Sequence, residues 1–558
     1  MVKSTRAMPN VVLILTDDQG YGDLGCHGND KIKTPNLDQM YKESVRFTQF
    51  YVSPLCSPTR ASLMTGCYEW RSGIRATIEG RSLMNPDLYT IAEIFSAAGY
   101  RTGIFGKWHL GDNYPLRAMD RGFQESLVHG GGGIGQTPDF WGNTYFDPVL
   151  CHNGRWRKFE GYCTDIFFNA AINFIEKNKD RPFFVYIPTN APHAPLQVDE
   201  SYAEPYREMG LPDRLAKFYG MITNIDENIG RLIDKLKELN LEKDTIVIFM
   251  SDNGGATGVR FYNAGMRGHK GTVYEGGIRV PCFIRWPGTL SPKDIDRIAA
   301  HIDILPTLLD ACNIPKPVGA SFDGKSLLPL MLDEEIDWPD RVLFFQQGNI
   351  PDDQLYGNCA VRTQRYKLVN LKELYDMTID PGEKNNIADE HPDIVEQMRK
   401  MYEEWYRDVS RGLKDPVRIC LGSIRENPAL LTSHDWRDES VRTLRLWRQD
   451  TLIEKARTEL EGNGYWEVYI KRSGRYKITL YKCHPKANRE LKILKPGMAR
   501  LIIGDVDVSK PINEGATSVT FNVVLKAGPA RLQTFLTGQR KDKEEVGAYF
   551  IEVECLDI

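Results

Sequence analysis

At 558 residues the chain exceeds the roughly 250–300 at which one hydrophobic core usually stops growing, so two or three domains are expected. Its 41% apolar and 26% charged residues are those of an ordinary globular protein. A net charge of −4 gives no general case for nucleic-acid binding, and no apolar run nears the ~20 residues of a transmembrane span. Residues 1–10 read as a polar opening without the apolar stretch of a signal peptide. Eleven cysteines with no Cys-x-x-Cys pair point to mostly free, partly buried thiols.

In chain order, Val11-Val12-Leu13-Ile14-Leu15 is a buried-strand signal that runs into Thr16-Asp17-Asp18-Gln19-Gly20. Cys56-Ser57-Pro58-Thr59-Arg60 follows an extended stretch and opens a predicted helix, with Pro58 suited to its first turn. Cys56 then lies at a helix N-terminus, where partial positive charge favours anions. A packed cysteine or a reactive thiol fits that position equally well. Gly103-Ile104-Phe105 leads into Gly106-Lys107-Trp108-His109. Residues 129–156 are rich in glycine and aromatics; Trp141, Tyr145, Phe146 and Trp156 either stack on a sugar face or pack beneath a long surface loop.

Phe183-Phe184-Val185-Tyr186-Ile187 leads to Pro192-His193-Ala194-Pro195. Leu215, Phe218, Ile222, Ile225, Ile229, Leu232 and Leu236 then form the apolar stripe of a long helix. Ile246-Val247-Ile248-Phe249-Met250 runs into Ser251-Asp252-Asn253-Gly254-Gly255. Strands alternating with helices imply an α/β fold: a large mixed, mostly parallel sheet flanked by helices over residues 1–335. Residues 336–425 read as a smaller α+β subdomain with strands at 342–345 and 366–369 and a helix at 392–406. Alternation at 466–470, 476–480, 519–525 and 549–553 predicts a C-terminal all-β sandwich over 430–558. Its aromatics Trp466, Tyr469, Tyr476 and Tyr481 fit a structural role better than a carbohydrate platform.

Ligands of an open parallel sheet bind beyond the carboxyl ends of its strands, so these loops are expected to converge. Asp17, Asp18, Asp252 and Asn253 form a hard-oxygen set suited to calcium or magnesium. Either acidic motif alone reads as ordinary turn chemistry. Both together, each directly after an apolar strand, favour a metal.

Cys56-Ser57-Pro58-Thr59-Arg60 with Thr65-Gly66 resembles the signature of the formylglycine-dependent sulfatases, a family with an alkaline phosphatase superfamily fold. The likeness continues in order through Asp17-Asp18-Gln19-Gly20, Gly106-Lys107-Trp108-His109, Pro192-His193-Ala194-Pro195, Ser251-Asp252-Asn253-Gly254 and Lys270-Gly271-Thr272-Val273-Tyr274-Glu275-Gly276-Gly277. It ends on Leu374-Tyr375-Asp376 and Asp380-Pro381-Gly382-Glu383, covering about residues 8–405. Two positions depart from the pattern. Thr59 replaces the usual serine or alanine, and Cys67 stands where the family often has arginine, a change that bears on maturation.

The resemblance implies that Cys56 is oxidised to formylglycine by a formylglycine-generating or anaerobic sulfatase-maturating enzyme. The hydrated aldehyde is then the nucleophile towards a sulfate ester, expected to be a glycan sulfate. It further implies one calcium ion, with magnesium second, held by Asp17, Asp18, Asp252, Asn253 and residue 56. By the same resemblance Arg60 and Lys107 orient residue 56, and Asp252 accepts the nucleophile's proton. His109 accepts the second hydroxyl's proton, while His193 and Lys270 contact the sulfate and His193 protonates the leaving oxygen. His27 and His269 are weaker candidates in turn-like surroundings. A phosphonate or phosphodiester hydrolase of the same superfamily and a silent glycan-binding protein are the competing readings. A glycan substrate makes a periplasmic or secreted location the expectation.

Overall fold

The computed structural model describes residues 8–334, 338–348, 357–542 and 544–558. Residues 1–7 of the polar opening and the expected boundary at 335–336 lie outside the described residues.

Ten strands form the main sheet: β1 (Asn10–Thr16), β2 (Val45–Phe47), β4 (Arg101–Lys107), β5 (Glu125–His129), β6 (Val149–His152), β7 (Arg155–Lys158), β8 (Phe183–Pro188), β9 (Thr245–Ser251), β10 (Cys282–Arg285) and β11 (Lys293–Ile295). Between β2 and β4 the short β3 (Phe50–Tyr51) pairs with β12 (Ala299–Ala300) in a separate ribbon. The sheet order is β11-β2-β10-β9-β1-β8-β4-β5-β6-β7. Its five central strands, β9-β1-β8-β4-β5, are all parallel; β10 and β6 run antiparallel to them, and β2 and β7 pair antiparallel with β10 and β6. Mixed edges on a parallel centre match the expected α/β class.

Alternation along β1 builds two cores. Val11, Leu13 and Leu15 point to one face, where the Cys56–Thr65, Ile91–Ala97 and Ile304–Ala311 helices pack. Val12 and Ile14 point to the other, against the Cys163–Lys177 helix and the predicted long helix, observed as Asp213–Glu238. Every residue of β1, β8 and β9 is buried, their carboxyl-terminal residues included.

The second unit is a four-stranded antiparallel sheet, β13 (Leu343–Gln346), β14 (Cys359–Arg362), β15 (Tyr366–Val369) and β16 (Glu373–Asp376), covered by the Pro392–Val409 helix. The third packs two sheets face to face. One has the order β17-β19-β24-β21-β22, the other β18-β25-β20-β23. These strands are β17 (Ile419–Leu421), β18 (Ala429–Thr432), β19 (Tyr465–Ile470), β20 (Gly474–Tyr481), β21 (Gly497–Ile503), β22 (Val506–Ile512), β23 (Val519–Leu525), β24 (Gly528–Leu536) and β25 (Phe550–Cys555).

The sandwich takes its first strand, β17, from upstream of the expected start at 430, because Ile419–Leu421 pairs in parallel with β19. Three residues carry too little alternation to be read as a strand from sequence. Trp466 and Tyr476 lie in the sandwich core, fully buried, whereas Tyr469 is exposed. None of the eleven cysteines is in a disulfide, and nine are buried.

Candidate active site

β1 and β9 are adjacent and in register, Thr16 opposite Ser251, so the two acidic motifs leave the sheet side by side. Asp18 turns through left-handed backbone (φ 70°) and donates its N–H to Asp252 Oδ1 at 3.3 Å. Asn253 Nδ2 donates to Asp18 Oδ1 at 2.9 Å. Three sequence motifs thereby become one cluster, joined by the first residue of the Cys56–Thr65 helix. One ligand atom each from Asp17, Cys56 and Asp252 lie within 4.8 Å of one another, as do atoms from Asp17, Asp18 and His193.

Two buried cations hold this cluster from below. Arg60, one helical turn after Cys56, donates from Nε and Nη2 to Asp252 Oδ2 at 3.1 and 2.7 Å and from Nη1 to the Lys107 carbonyl at 2.9 Å. Lys107, the last residue of β4, places Nζ 2.7 Å from Asp17 Oδ2. None of these four side chains is exposed. Gly106 allows this approach: its φ is 140°, and a Cβ there would sit 1.9 Å from the Pro188 carbonyl oxygen.

The outer wall is formed by Lys270 and His193. Lys270 Nζ lies 2.5 Å from Asp18 Oδ1, and His193 Nε2 lies 3.8 Å from Asp18 Oδ2. His193 Nδ1 faces the Ala194 carbonyl at 2.6 Å, and the buried Tyr145 hydroxyl donates to the His193 carbonyl at 2.8 Å. Tyr145 therefore anchors the histidine loop and is no sugar platform. Trp141 is likewise spoken for, stacked on His484 of the sandwich with centroids 5.4 Å apart. Phe146 and Trp156 remain exposed.

His109 also takes left-handed backbone (φ 61°), with Gly132 packed against its ring. Its Nε2 lies 2.9 Å from the Thr77 carbonyl. A carbonyl only accepts, so Nε2 carries the proton and the buried, unpartnered Nδ1 presents a lone pair. Behind it stands His434 of the sandwich, ring centroids 6.3 Å away and paired with Asp435 at 2.9 Å. No motif marked His434, because it approaches from a different domain. His27 stacks on Tyr21 away from the cluster, and exposed His269 turns back on the Lys270 carbonyl.

Electrostatics follow from burial. Burial would raise Asp18, yet Lys270 and His193 outweigh it and hold this carboxyl well below the usual range. Asp252 is raised to about 6, first by burial and then by Asp17. Burial lowers His109 well below its ordinary value, with Lys107 and His434 adding to it. His193 is lowered to about 4 by burial. Burial also pushes the Cys56 thiol up, so the unmodified side chain is a poor thiolate nucleophile.

The donor set fits a hard cation. Asp17 Oδ1 and Asn253 Oδ1 are buried without any hydrogen-bond partner in the protein, an arrangement that costs stability unless something positive meets them. Carboxylate and amide oxygens without a competing imidazole cluster are calcium or magnesium chemistry.

Residues 9–314 match the family model described as Sulfatase, and residues 268–408 match N-sulphoglucosamine sulphohydrolase, C-terminal. The sequence is 32% identical to arylsulfatase A of Homo sapiens, over 70% of this chain and 87% of that one. The chain belongs to the sulfatase family. As a sulfatase it is a sulfuric ester hydrolase. It is also 27% identical to the N-acetylgalactosamine-6-O-sulfatase of Bacteroides thetaiotaomicron, over 71% of the sulfatase and 92% of that enzyme. Among solved structures, Ps i-CgsB in complex with k-i-k-neocarrahexaose superposes with a TM-score of 0.66 at 29% identity, over 73% of this chain and 94% of that one. The sandwich adds to this shared frame. Among the described residues no helix is long and apolar enough to cross a membrane.

Proposed function

We propose that this sulfatase removes sulfate from a sulfated carbohydrate, using formylglycine made from Cys56 and one calcium ion at the Asp17, Asp18, Asp252 and Asn253 oxygens. The observation that carries the reading is the meeting of Cys56 with Asp17 and Asp252 within 4.8 Å, enclosed by Arg60 and Lys107. Calcium tolerates the irregular oxygen geometry of two loops better than magnesium, which demands a near-ideal octahedron. When present, the hydrated aldehyde supplies an oxygen nucleophile with a second hydroxyl. The bound cation supplies Lewis acidity towards a sulfate oxygen.

The chain's own residues divide the remaining work. Lys270 faces outward from Asp18 and offers positive charge to the sulfate oxygens, while His193 Nδ1 is held by the Ala194 carbonyl and its Nε2 offers an N–H only once the ring is protonated. Asp252, one oxygen fixed by Arg60 and its carboxyl within 4.8 Å of residue 56, serves as the base towards it. His109 is neutral and fixed by Thr77, and its Nδ1 accepts a second proton from residue 56. His193 is neutral in the free protein; the negative charge of a bound sulfate raises its pKa, so that it carries a proton to the leaving oxygen. The enzyme acts in the periplasm or outside the cell, where sulfated glycans occur, after a maturating enzyme has oxidised Cys56.

The test is a panel of hexose and N-acetylhexosamine sulfates alongside aryl phosphate and phosphonate esters, offered to matured, calcium-loaded protein. Sulfate release from at least one sugar, exceeding any phosphorus-ester turnover, is the expected result. Cleavage of phosphorus esters alone would replace this reading with the phosphoryl or phosphonyl one.

A further inference from the structure

Between the main sheet and the sandwich lies a cavity of about 270 Å³, just below the usual range of roughly 300–1,000 Å³ for small-ligand pockets. The catalytic domain lines it with Trp108, Asp112, His129 and Trp156, and the sandwich with Thr432 and Asp435. It shares no wall with Cys56, Asp17 or Lys270. It nonetheless begins beside them: His129 is the register partner of Lys107, one strand spacing or about 5 Å away.

The polar atoms of this wall have a common character. His129 Nδ1 lies 2.9 Å from the Gly130 carbonyl, so Nδ1 carries the proton and Nε2 is an acceptor. That Nε2 and Thr432 Oγ1 are buried without a partner in the protein, on residues 1% and 5% exposed. Asp112 spends Oδ1 on the Gly131 N–H at 2.9 Å, and Asp435 spends Oδ1 on His434 at 2.9 Å. Each carboxylate keeps a second oxygen. Glu426 adds another carboxylate, its Oε2 held by the Tyr114 N–H at 2.8 Å, while Arg117, the cation on this wall, is shared between Asp120 at 2.6 Å and Glu426 at 3.9 Å. Acceptors and negative charge therefore dominate, and the half-exposed Trp156 offers an apolar ring face.

A sulfate group brings only acceptors and negative charge, so this cavity rejects it. A neutral sugar ring brings several O–H donors and a C–H face that packs on an aromatic ring. We propose that the cavity binds a neutral, unsulfated sugar unit next to the sulfated one, and that the sandwich is thereby part of the substrate site. The inference rests on the carbohydrate reading above. Trp466 of the sandwich core serves it indirectly, its indole N–H donating to the Thr432 carbonyl at 2.8 Å.

The experiment uses the full chain with Cys56 still a thiol, and ligand-observed saturation-transfer NMR with galactose, glucose and N-acetylgalactosamine. At least one sugar is expected to bind, about tenfold more weakly to Trp156→Ala and to Thr432→Val, both retaining the wild-type Tm. Inorganic sulfate should not displace it. Absence of binding by all three sugars, equal binding by both variants, or displacement by sulfate would each overturn the proposal. In matured protein the same variants should raise KM for a sulfated disaccharide and leave monosaccharide sulfate turnover unchanged; an unchanged disaccharide KM would also overturn it. A wild type that binds sugar through Trp156 and Thr432 but releases no sulfate would sink the sulfatase substrate reading while upholding the cavity's specificity.

Discussion

Arg60 and Asp252 form a 2.7 Å ion pair in which neither side chain touches solvent. Such a pair is not kept for stability alone, because desolvating both ions offsets much of their attraction. Here Arg60 also holds the Lys107 carbonyl, tying the Cys56 helix, β4 and β9 together under residue 56. Arg60→Met strands Asp252 as a buried, unpaired carboxylate. It should lose about 3–5 kcal/mol of stability as well as turnover. Denaturant unfolding measures this, and a loss under about 1 kcal/mol would show that the pair bears no structural load.

Calcium should stabilise the folded chain because only the native cluster brings its oxygens together. At a free concentration about 100-fold above Kd the gain is ~2.7 kcal/mol. Asn253→Ala removes one buried, unpartnered oxygen and should shrink the thermal shift with calcium. An undiminished shift would place the ion elsewhere.

Cys67 is packed rather than chemically engaged. Its side chain is 3% exposed, with Sγ 3.0 Å from the Ser321 carbonyl. An arginine overpacks this position, so Cys67→Arg should cost at least about 1–3 kcal/mol. Cys67→Ser should cost less. A Cys67→Arg protein as stable as the parent would mean that the Ser321 segment yields to accommodate it.

His301 provides a pH-dependent term independent of the site. Burial lowers its pKa from 6.5 to about 3, with Nε2 facing the Ser53 hydroxyl at 3.0 Å. As pH falls below 6.5 the unfolded chain takes up the proton and the folded one does not. Its share of stability is therefore intact above pH 6.5 and declines towards pH 3, by up to ~1.4 kcal/mol per unit. Urea midpoints at pH 7 and pH 5 should differ less in His301→Gln than in the parent. An equal difference would assign the acid sensitivity to other buried groups.

Most of the sheet could be read in advance where apolar runs ended in unusual polar loops. β1, β8 and β9 lie where Val11, Phe183 and Ile246 begin their runs, and the Asp17-Asp18 and Asp252-Asn253 loops meet as parallel neighbours must. Contacts across domains left no local trace. Thr432 ends a short strand of the sandwich, His434 and Asp435 follow it, and none bears a spacing relation to His109 or His129. Tyr145 misled for a related reason: composition shows an aromatic residue in a glycine-rich loop, whereas only packing shows its hydroxyl on the His193 carbonyl. The strand at Ile419–Leu421 is too short for periodicity to register and exists because β19 is there to pair with it.

The central claim is that sulfate hydrolysis depends on an aldehyde at residue 56 inside this carboxylate cluster. The direct measurement takes preparations matured to different extents and plots specific sulfatase activity against the aldehyde fraction found by mass spectrometry of the tryptic peptide of residues 47–60. The account predicts a straight line through zero, with Cys56→Ala at the origin. Equal activity in fully thiol and fully matured protein would contradict it.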